Sequence, residues 1–139
     1  MKAFFKLYII ALVVFLALDA LWLGLIAKDF FLSQLGPVLP LTLSVIPALV
    51  FYLLFAAGIV VFAVDPALKM KSLGSALARG AFLGLVTYGA YDLTNHATVA
   101  NWPVIVTAVD MTWGSSLTAV VSSVTFLLGK KLFLRVGFK

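Results

Sequence analysis

Four long apolar stretches separated by short polar connections make up most of the chain. Each stretch has about the 20 mostly apolar residues that an α-helix needs to cross a bilayer core of about 30 Å. We therefore predict an all-α fold, an integral membrane four-transmembrane-helix bundle in which residues 1–139 form a single transmembrane domain. The predicted spans are residues 4–27, 41–64, 76–98 and 103–128.

Prolines and aromatic residues indicate how the predicted helices begin and end. Pro40 and Pro103 suit first-turn positions, and the pair Asp65-Pro66 is expected to end the second span. Pro47 lies inside that span near one end, where a kink is expected. The connection between the first two spans favours a segment at the membrane interface, because it contains Phe30, Phe31, Leu32 and Leu35.

Composition excludes several classes of protein. Hydrophobic residues make up 64% of the chain and charged residues 11%, against about 25% charged residues in a typical soluble domain. The ten Lys and Arg residues exceed the five acidic residues, but they cluster at the ends of apolar stretches, so we expect no nucleic acid partner. The chain has no cysteine, which excludes disulfides and thiolate metal sites. The N-terminal apolar run is too long for a signal peptide and is expected to be retained.

The positive charges predict the orientation of the chain in the membrane. Short cytoplasmic loops carry an excess of Lys and Arg. Lys28 is the single positive residue on one side of the predicted topology, and nine lie on the other side. Both termini are therefore expected in the cytoplasm, in a multi-pass protein of the bacterial inner (cytoplasmic) membrane. The nine are Lys2, Lys6, Lys69, Lys71, Arg79, Lys130, Lys131, Arg135 and Lys139.

Three aspartates lie inside the predicted spans. A carboxylate at mid-membrane costs roughly 2.5–3.5 kcal/mol on insertion scales, so such residues mark functional sites by default. Asp19 lies eight residues before the end of the first span, and Asp110 lies seven residues into the fourth. Asp92 lies six residues before the end of the third span. The topology therefore predicts that three helices carry a carboxylate to one layer of the outer leaflet.

Aromatic and polar residues accompany these aspartates. Trp22 and Trp113 each follow an aspartate by three residues, on the same helical face. We expect an acidic, aromatic-walled cavity in the outer-leaflet half that binds a small cationic or amphiphilic ligand or a lipid. The expected outcome is proton-coupled transport or binding alone. Tyr52, in the second span, is expected too close to mid-membrane to join the cavity. The candidate ligand-binding residues are Asp19, Trp22, Tyr88, Tyr91, Asp92, Asn95, His96, Asp110 and Trp113.

Other interpretations of the same residues stay open. One alternative is a membrane enzyme acting on a lipid or lipophilic substrate, in which one aspartate serves as general acid/base. Another is a structural or partner-assembly subunit, in which the aspartates only join helices. The sequence identifies no cofactor, and the single histidine, His96, favours hydrogen bonding over metal ligation. The Gly80-x-x-x-Gly84 motif indicates close helix packing, either within the monomer or in a homodimer.

The chain resembles a family of small bacterial four-helix inner-membrane proteins, the domain of unknown function 2177 family. The resemblance implies a four-helix membrane protein and supplies no activity. In size and span count the chain also resembles small multidrug transporters, by architecture only. The stretches that carry the family resemblance are Leu18–Gly24, Phe51–Gly58, Phe62–Leu68, Tyr88–Asn95, Asn101–Pro103 and Asp110–Gly114.

Overall fold

The computed structural model describes residues 2–38 and 44–135 of the chain, and the regular structure in that part is entirely helical. The predicted first-turn position of Pro40 lies outside the described residues. Two turns with π-helical hydrogen bonding, Trp22–Ile26 and Val60–Val64, interrupt the α-helices. The helices are α1 (Lys2–Leu21), α2 (Lys28–Leu35), α3 (Val45–Ile59), α4 (Asp65–Lys69), α5 (Leu73–Thr98) and α6 (Val104–Arg135).

The first connection contains the short helix α2. This helix follows the first π turn, where the Ala27 N–H donates to the Trp22 carbonyl over 2.7 Å. Leu35 of α2 packs in a small core with Trp102 and Val106, beside the start of α6. The aromatic residues that favoured an interfacial segment therefore pack against the connection between α5 and α6, with Phe30 and Phe31 at the edge of this core.

The prediction that Asp65-Pro66 ends the second helix was wrong. Helical structure continues from Val45 to Lys69. Pro66 follows the second π turn, where the Asp65 N–H donates to the carbonyl of Val60, five residues back. A proline normally clashes with the carbonyl four residues earlier, and the wider π turn changes the register of the hydrogen bonds at this point.

The kink expected at Pro47 is not required either. Pro47 is the third residue of α3, which begins at Val45. The first four N–H groups of a helix have no partner within that helix, so the missing N–H of proline costs nothing there.

The helix ends instead at a left-handed turn before α5. Lys71 has a φ of 52°. Its N–H donates to the Leu68 carbonyl, and the Ser72 N–H donates to the Ala67 carbonyl, which is the hydrogen-bond pattern of a Schellman motif. The Ser72 hydroxyl then accepts from the Ser75 N–H over 3.1 Å and caps α5. This turn makes α5 begin immediately after α4.

Helices α5 and α6 form the most extensive contact between elements. A Cβ at Gly80 would meet Ser122 and the backbone of Thr118, and one at Gly84 would meet the Gly114 carbonyl. The Gly80-x-x-x-Gly84 motif therefore packs against the chain's own α6. This geometry is the within-monomer alternative of the two that the sequence left open.

The outer surface of the bundle is apolar. Three helical segments are long and apolar enough to cross a membrane: Lys2–Ile26, Val45–Lys69 and Val104–Leu132. The 26 residues of α5 have sufficient length, at about 1.5 Å per residue, to cross a core of about 30 Å. Helix α5 is not among the three segments that are apolar enough by composition. The main core is formed by α1, α3, the second π turn and α6, around Phe15, Ile59 and Val121.

Candidate functional site

Asp19 joins three helices through its two carboxylate oxygens. The Tyr52 hydroxyl of α3 donates to Oδ2 over 2.6 Å, and the Trp113 Nε1 of α6 donates to Oδ1 over 3.2 Å. The Asp19 side chain, on α1, is only 5% exposed. Hydrogen bonds to a charged acceptor are shorter and stronger than neutral ones. The carboxylate of Asp19 is thereby fixed and satisfied, and it holds α1, α3 and α6 together.

Tyr52 was missed by the sequence analysis, which placed it too deep to reach the aspartate layer. Tyr52 lies in α3, and its hydroxyl reaches the carboxylate of Asp19. The error came from counting Cα positions along a helix, because a tyrosine side chain extends several ångströms beyond its Cα. In helices long side chains also lean toward the N-terminus. That lean moves the hydroxyl away from the depth of its own backbone.

The two Asp-x-x-Trp motifs meet through their indole rings. Trp22 and Trp113 stack with centroids 4.3 Å apart and an angle of 9° between the planes. Trp113 donates to Asp19, the aspartate of the other motif. Trp22 does not complete the reciprocal arrangement, because its buried Nε1 has no hydrogen-bond partner. The two tryptophans therefore form one aromatic wall, in which Trp113 is hydrogen-bonded to an aspartate and Trp22 is not.

Asp92 and Asp110 form a second acidic group with a different environment. Asp92, on α5, is 0% exposed, and among the described residues no N–H group and no Ser, Thr or Tyr hydroxyl donates to its carboxylate oxygens. The side chain that faces it is Asp110 of α6, and the two carboxyl groups are close enough to share a proton. Two carboxylates in contact cannot both stay ionised without a bound cation. The pair must therefore hold a proton or another positive charge.

Tyr88 lies on α5, one helical turn before Asp92. Its hydroxyl is within electrostatic range of Asp19, Asp92 and Asp110. Its ring packs against Gly114 of α6, where a Cβ would collide with it. The glycine in α6 therefore leaves room for the Tyr88 side chain in the site.

Tyr91, Asn95 and His96 lie at the periphery of this group, and Tyr91 is within electrostatic range of Asp92 and Asp110. Tyr91 is 55% exposed and contacts the edge of Trp102, with ring centroids 6.1 Å apart. His96 is exposed and Asn95 is half-buried near the same end of α5. The structure thus brings together six of the nine predicted residues: Asp19, Trp22, Tyr88, Asp92, Asp110 and Trp113.

Some polar residues of α5 do not pack inward. Thr94 and Thr98 are exposed, and their hydroxyls donate to carbonyls of the preceding turn of α5, at Ala90, Tyr91 and Thr94. A threonine hydroxyl can bond to the i−3 or i−4 carbonyl of its own helix. Such residues need no partner from another helix.

A groove of about 410 Å³ lies beside the stacked tryptophans. Successive turns of α6 supply most of its lining, and most of the lining atoms are apolar. The groove thus lies along α6, the helix that carries Asp110, and the two tryptophans form its aromatic surface. Its lining residues are Trp22, Ala108, Val109, Thr112, Trp113 and Ser116.

Metal ligation requires several donor side chains around one point. Within the described ranges, 2–38 and 44–135, no group of three His, Cys, Asp or Glu side chains is arranged so that it could hold a metal ion. The three aspartates divide into Asp19 with its two donors and the Asp92–Asp110 pair. Asp19 and the Asp92–Asp110 pair are therefore two separate acidic groups.

The chain matches the family described as predicted membrane protein (DUF2177) over residues 4–127. The match covers most of the chain, and the chain therefore belongs to this family. The resemblance found in the sequence motifs is confirmed by this match. The search of curated proteins and the search of solved structures gave no match to the chain.

Proposed function

We propose that this protein binds a small cationic or amphiphilic ligand at the Asp92–Asp110 pair, in exchange for the proton that the pair otherwise shares. In this proposal all four long helical segments, α5 included, span the inner membrane with both termini in the cytoplasm. The observation that carries the proposal is the Asp92 carboxyl, which is fully buried, faces a second carboxyl, and accepts no hydrogen bond from any described N–H group or Ser, Thr or Tyr hydroxyl.

Charge supports a cationic occupant. In the part of the chain that the structure describes, the one salt bridge joins Lys69 to Asp65, at the opposite end of the bundle from the pair. No Lys, Arg or His among the described side chains therefore forms a salt bridge with the Asp92–Asp110 pair. A proton or an external cation supplies the missing charge, and the two compete for the same carboxyl groups.

The surroundings support an amphiphilic ligand. The groove beside Trp22 and Trp113 offers apolar and aromatic surface, and aromatic faces attract cations. Asp19, which accepts hydrogen bonds from Tyr52 and Trp113, holds the tryptophan wall in place. In this proposal Asp19 positions the wall, and Asp92 and Asp110 carry the exchangeable charge.

Thermal unfolding in a neutral detergent tests the proposal with tetraphenylphosphonium as the probe. Tetraphenylborate has the same shape and the opposite charge, so it serves as the matched control. We expect tetraphenylphosphonium to raise the melting temperature. At a concentration of free ligand about a hundred times its Kd, binding stabilises the folded state by about 2.7 kcal/mol. Tetraphenylborate is expected to give no stabilisation.

Amide variants locate the effect. Asp92→Asn and Asp110→Asn are each expected to abolish stabilisation by tetraphenylphosphonium, whereas Asp29→Asn, an exposed aspartate of α2, keeps it. Equal stabilisation by both ions, or stabilisation that survives both pair variants, would contradict the proposal. In that case the aspartates serve only to join helices.

A further inference from the structure

A stripe of hydroxyl side chains on α6 runs from the Asp92–Asp110 pair toward the end of the bundle that carries Lys130 and Lys131. Within the stripe the positions recur every three or four residues, so its members share one face of α6. The first member follows Asp110 by five residues. At about 1.5 Å per residue, the distance from Asp110 to the last member is roughly 22 Å, most of a bilayer core. The stripe consists of Ser115, Thr118, Ser122 and Thr125.

The hydroxyl stripe faces α5 at three of its four positions. The Ser115 hydroxyl donates to the Ala81 carbonyl of α5 over 3.0 Å. Further along, Thr118 lies against Gly84 and Ser122 against Gly80. Thr118, Ser122 and Thr125 are each 0% exposed, and Ser115 is half-buried. The three buried hydroxyls therefore face neither lipid nor water directly, and the small residues of α5 allow the two helices to approach closely.

Two hydroxyls of the stripe have no hydrogen-bond partner. These are the Ser122 Oγ and the Thr125 Oγ1, in the half nearer the basic end. In the other half, Ser115 and Thr118 each donate to a backbone carbonyl and keep lone pairs that can accept. Alanine or valine would fill the same space without a polar group, so packing alone does not account for fully buried, unpaired hydroxyls.

We propose that the hydroxyl stripe is a proton path between the cytoplasm and the Asp92–Asp110 pair. Hydroxyls three or four residues apart are about 5–6 Å from one another. In this proposal water molecules held by Ser122 and Thr125 bridge them, and water also bridges the five-residue step from Ser115 to Asp110. A hydronium ion at the basic end gives up one proton and becomes water, and each oxygen of the path accepts one proton while it releases another. The last proton forms an O–H bond on the unprotonated carboxylate of the pair.

This inference rests on the proposed function and specifies the side from which the pair is protonated. The competing explanation is that the hydroxyls serve only in the packing of α5 against α6. Infrared spectroscopy of the full-length chain in lipid nanodiscs distinguishes the two, through the rate at which the protonated carboxyl band shifts after transfer to D₂O. Asp92→Asn and Asp110→Asn assign the band to the pair.

We expect Thr125→Val and Ser122→Ala each to slow this exchange by about tenfold or more, and Thr125→Ser, which keeps the hydroxyl, to retain the normal rate. The matched control is Thr98→Val, because Thr98 is exposed on α5 and its hydroxyl donates to its own helix at Thr94. Exchange rates are compared only among variants whose melting temperature stays near that of the parent chain.

Two results would overturn the inference, and they are distinguishable. Normal exchange rates in both Thr125→Val and Ser122→Ala, with the carboxyl band present, would reject the proton path and leave the proposed function intact. A parent chain with no protonated carboxyl band sensitive to Asp92→Asn or Asp110→Asn would reject the proposed function itself, and the path with it.

Discussion

At the scale of single residues, the three membrane aspartates have two different roles. Asp19 accepts hydrogen bonds from Tyr52 and Trp113, on two other helices. Asp92 has no N–H donor and no Ser, Thr or Tyr hydroxyl donor among the described residues, and it faces Asp110. Asp19 is held in place by donors from two other helices, whereas two carboxyl groups that face each other cannot both stay ionised unless the pair holds a proton or a cation. We therefore assign the structural role to Asp19 and the exchange role to the pair.

Removing the Tyr52 hydroxyl tests the structural role of Asp19. Tyr52→Phe leaves a buried carboxylate oxygen without its donor, and we expect a loss of stability of about 1.5–3 kcal/mol. Tyr8→Phe is the matched control, because the Tyr8 hydroxyl donates to the Leu53 carbonyl at an exposed position. An SDS unfolding titration gives both values. Equal losses for the two variants would show that Asp19 adds nothing to the hydrogen bond of Tyr52.

The sequence predicted the site residues best where both their chemistry and their spacing along a helix were informative. The insertion cost of a charge singled out the three aspartates, and helix periodicity placed each tryptophan on the face of its aspartate. It could not separate Asp19 from Asp92, because the difference depends on Tyr52, a partner on another helix. Nor could it place Tyr91 and His96, whose exposure depends on how α5 rotates against α6.

At the scale of elements, small residues determine how α5 and α6 fit together. Gly84 lies against the backbone of Gly114, and Gly114 lies against the ring of Tyr88. The contact therefore controls both helix distance and the position of Tyr88 in the site. The sequence predicted close packing from the glycine spacing, but it did not predict the two π turns. Their wider hydrogen-bond register leaves no signature in the apolar pattern of the segments that contain them.

A methyl group at Gly84 tests this packing. In Gly84→Ala the added Cβ meets the Gly114 backbone and the Thr118 hydroxyl, so we expect a loss of about 1–3 kcal/mol in an SDS titration. Gly24→Ala is the matched control, since a Cβ there meets nothing within 4 Å. Weaker stabilisation by tetraphenylphosphonium is also expected in Gly84→Ala. Unchanged stability in Gly84→Ala would mean that the helices are farther apart than described.

At the scale of the whole molecule, the distribution of charge and polarity determines how the bundle lies in the membrane. The apolar pattern predicted the helical fold and the family match confirmed a membrane protein. The span of α5 stays a prediction, since its polar residues reduce its apolar character. Burial of Asp92, Thr118 and Ser122 between helices depends on tertiary packing. Hydropathy along the sequence contains no information about that packing.

The absence of native cysteine makes the topology directly measurable. Single variants Ser72→Cys and Asn101→Cys lie on either side of α5, which spans Leu73–Thr98. With a membrane-impermeant maleimide added to intact cells, we expect labelling of Asn101→Cys and protection of Ser72→Cys. Labelling of both residues, or of neither, would show that α5 does not cross the membrane.

The central claim is that a proton and a cation compete for the Asp92–Asp110 pair, and proton release on cation binding tests it most directly. Tetraphenylphosphonium is titrated into the purified chain in weakly buffered solution with a pH indicator. We predict release approaching about one proton per bound cation, with weaker binding at lower pH, and loss of both effects in Asp92→Asn. Binding without proton release, or release that persists in Asp92→Asn and Asp110→Asn, would contradict the account.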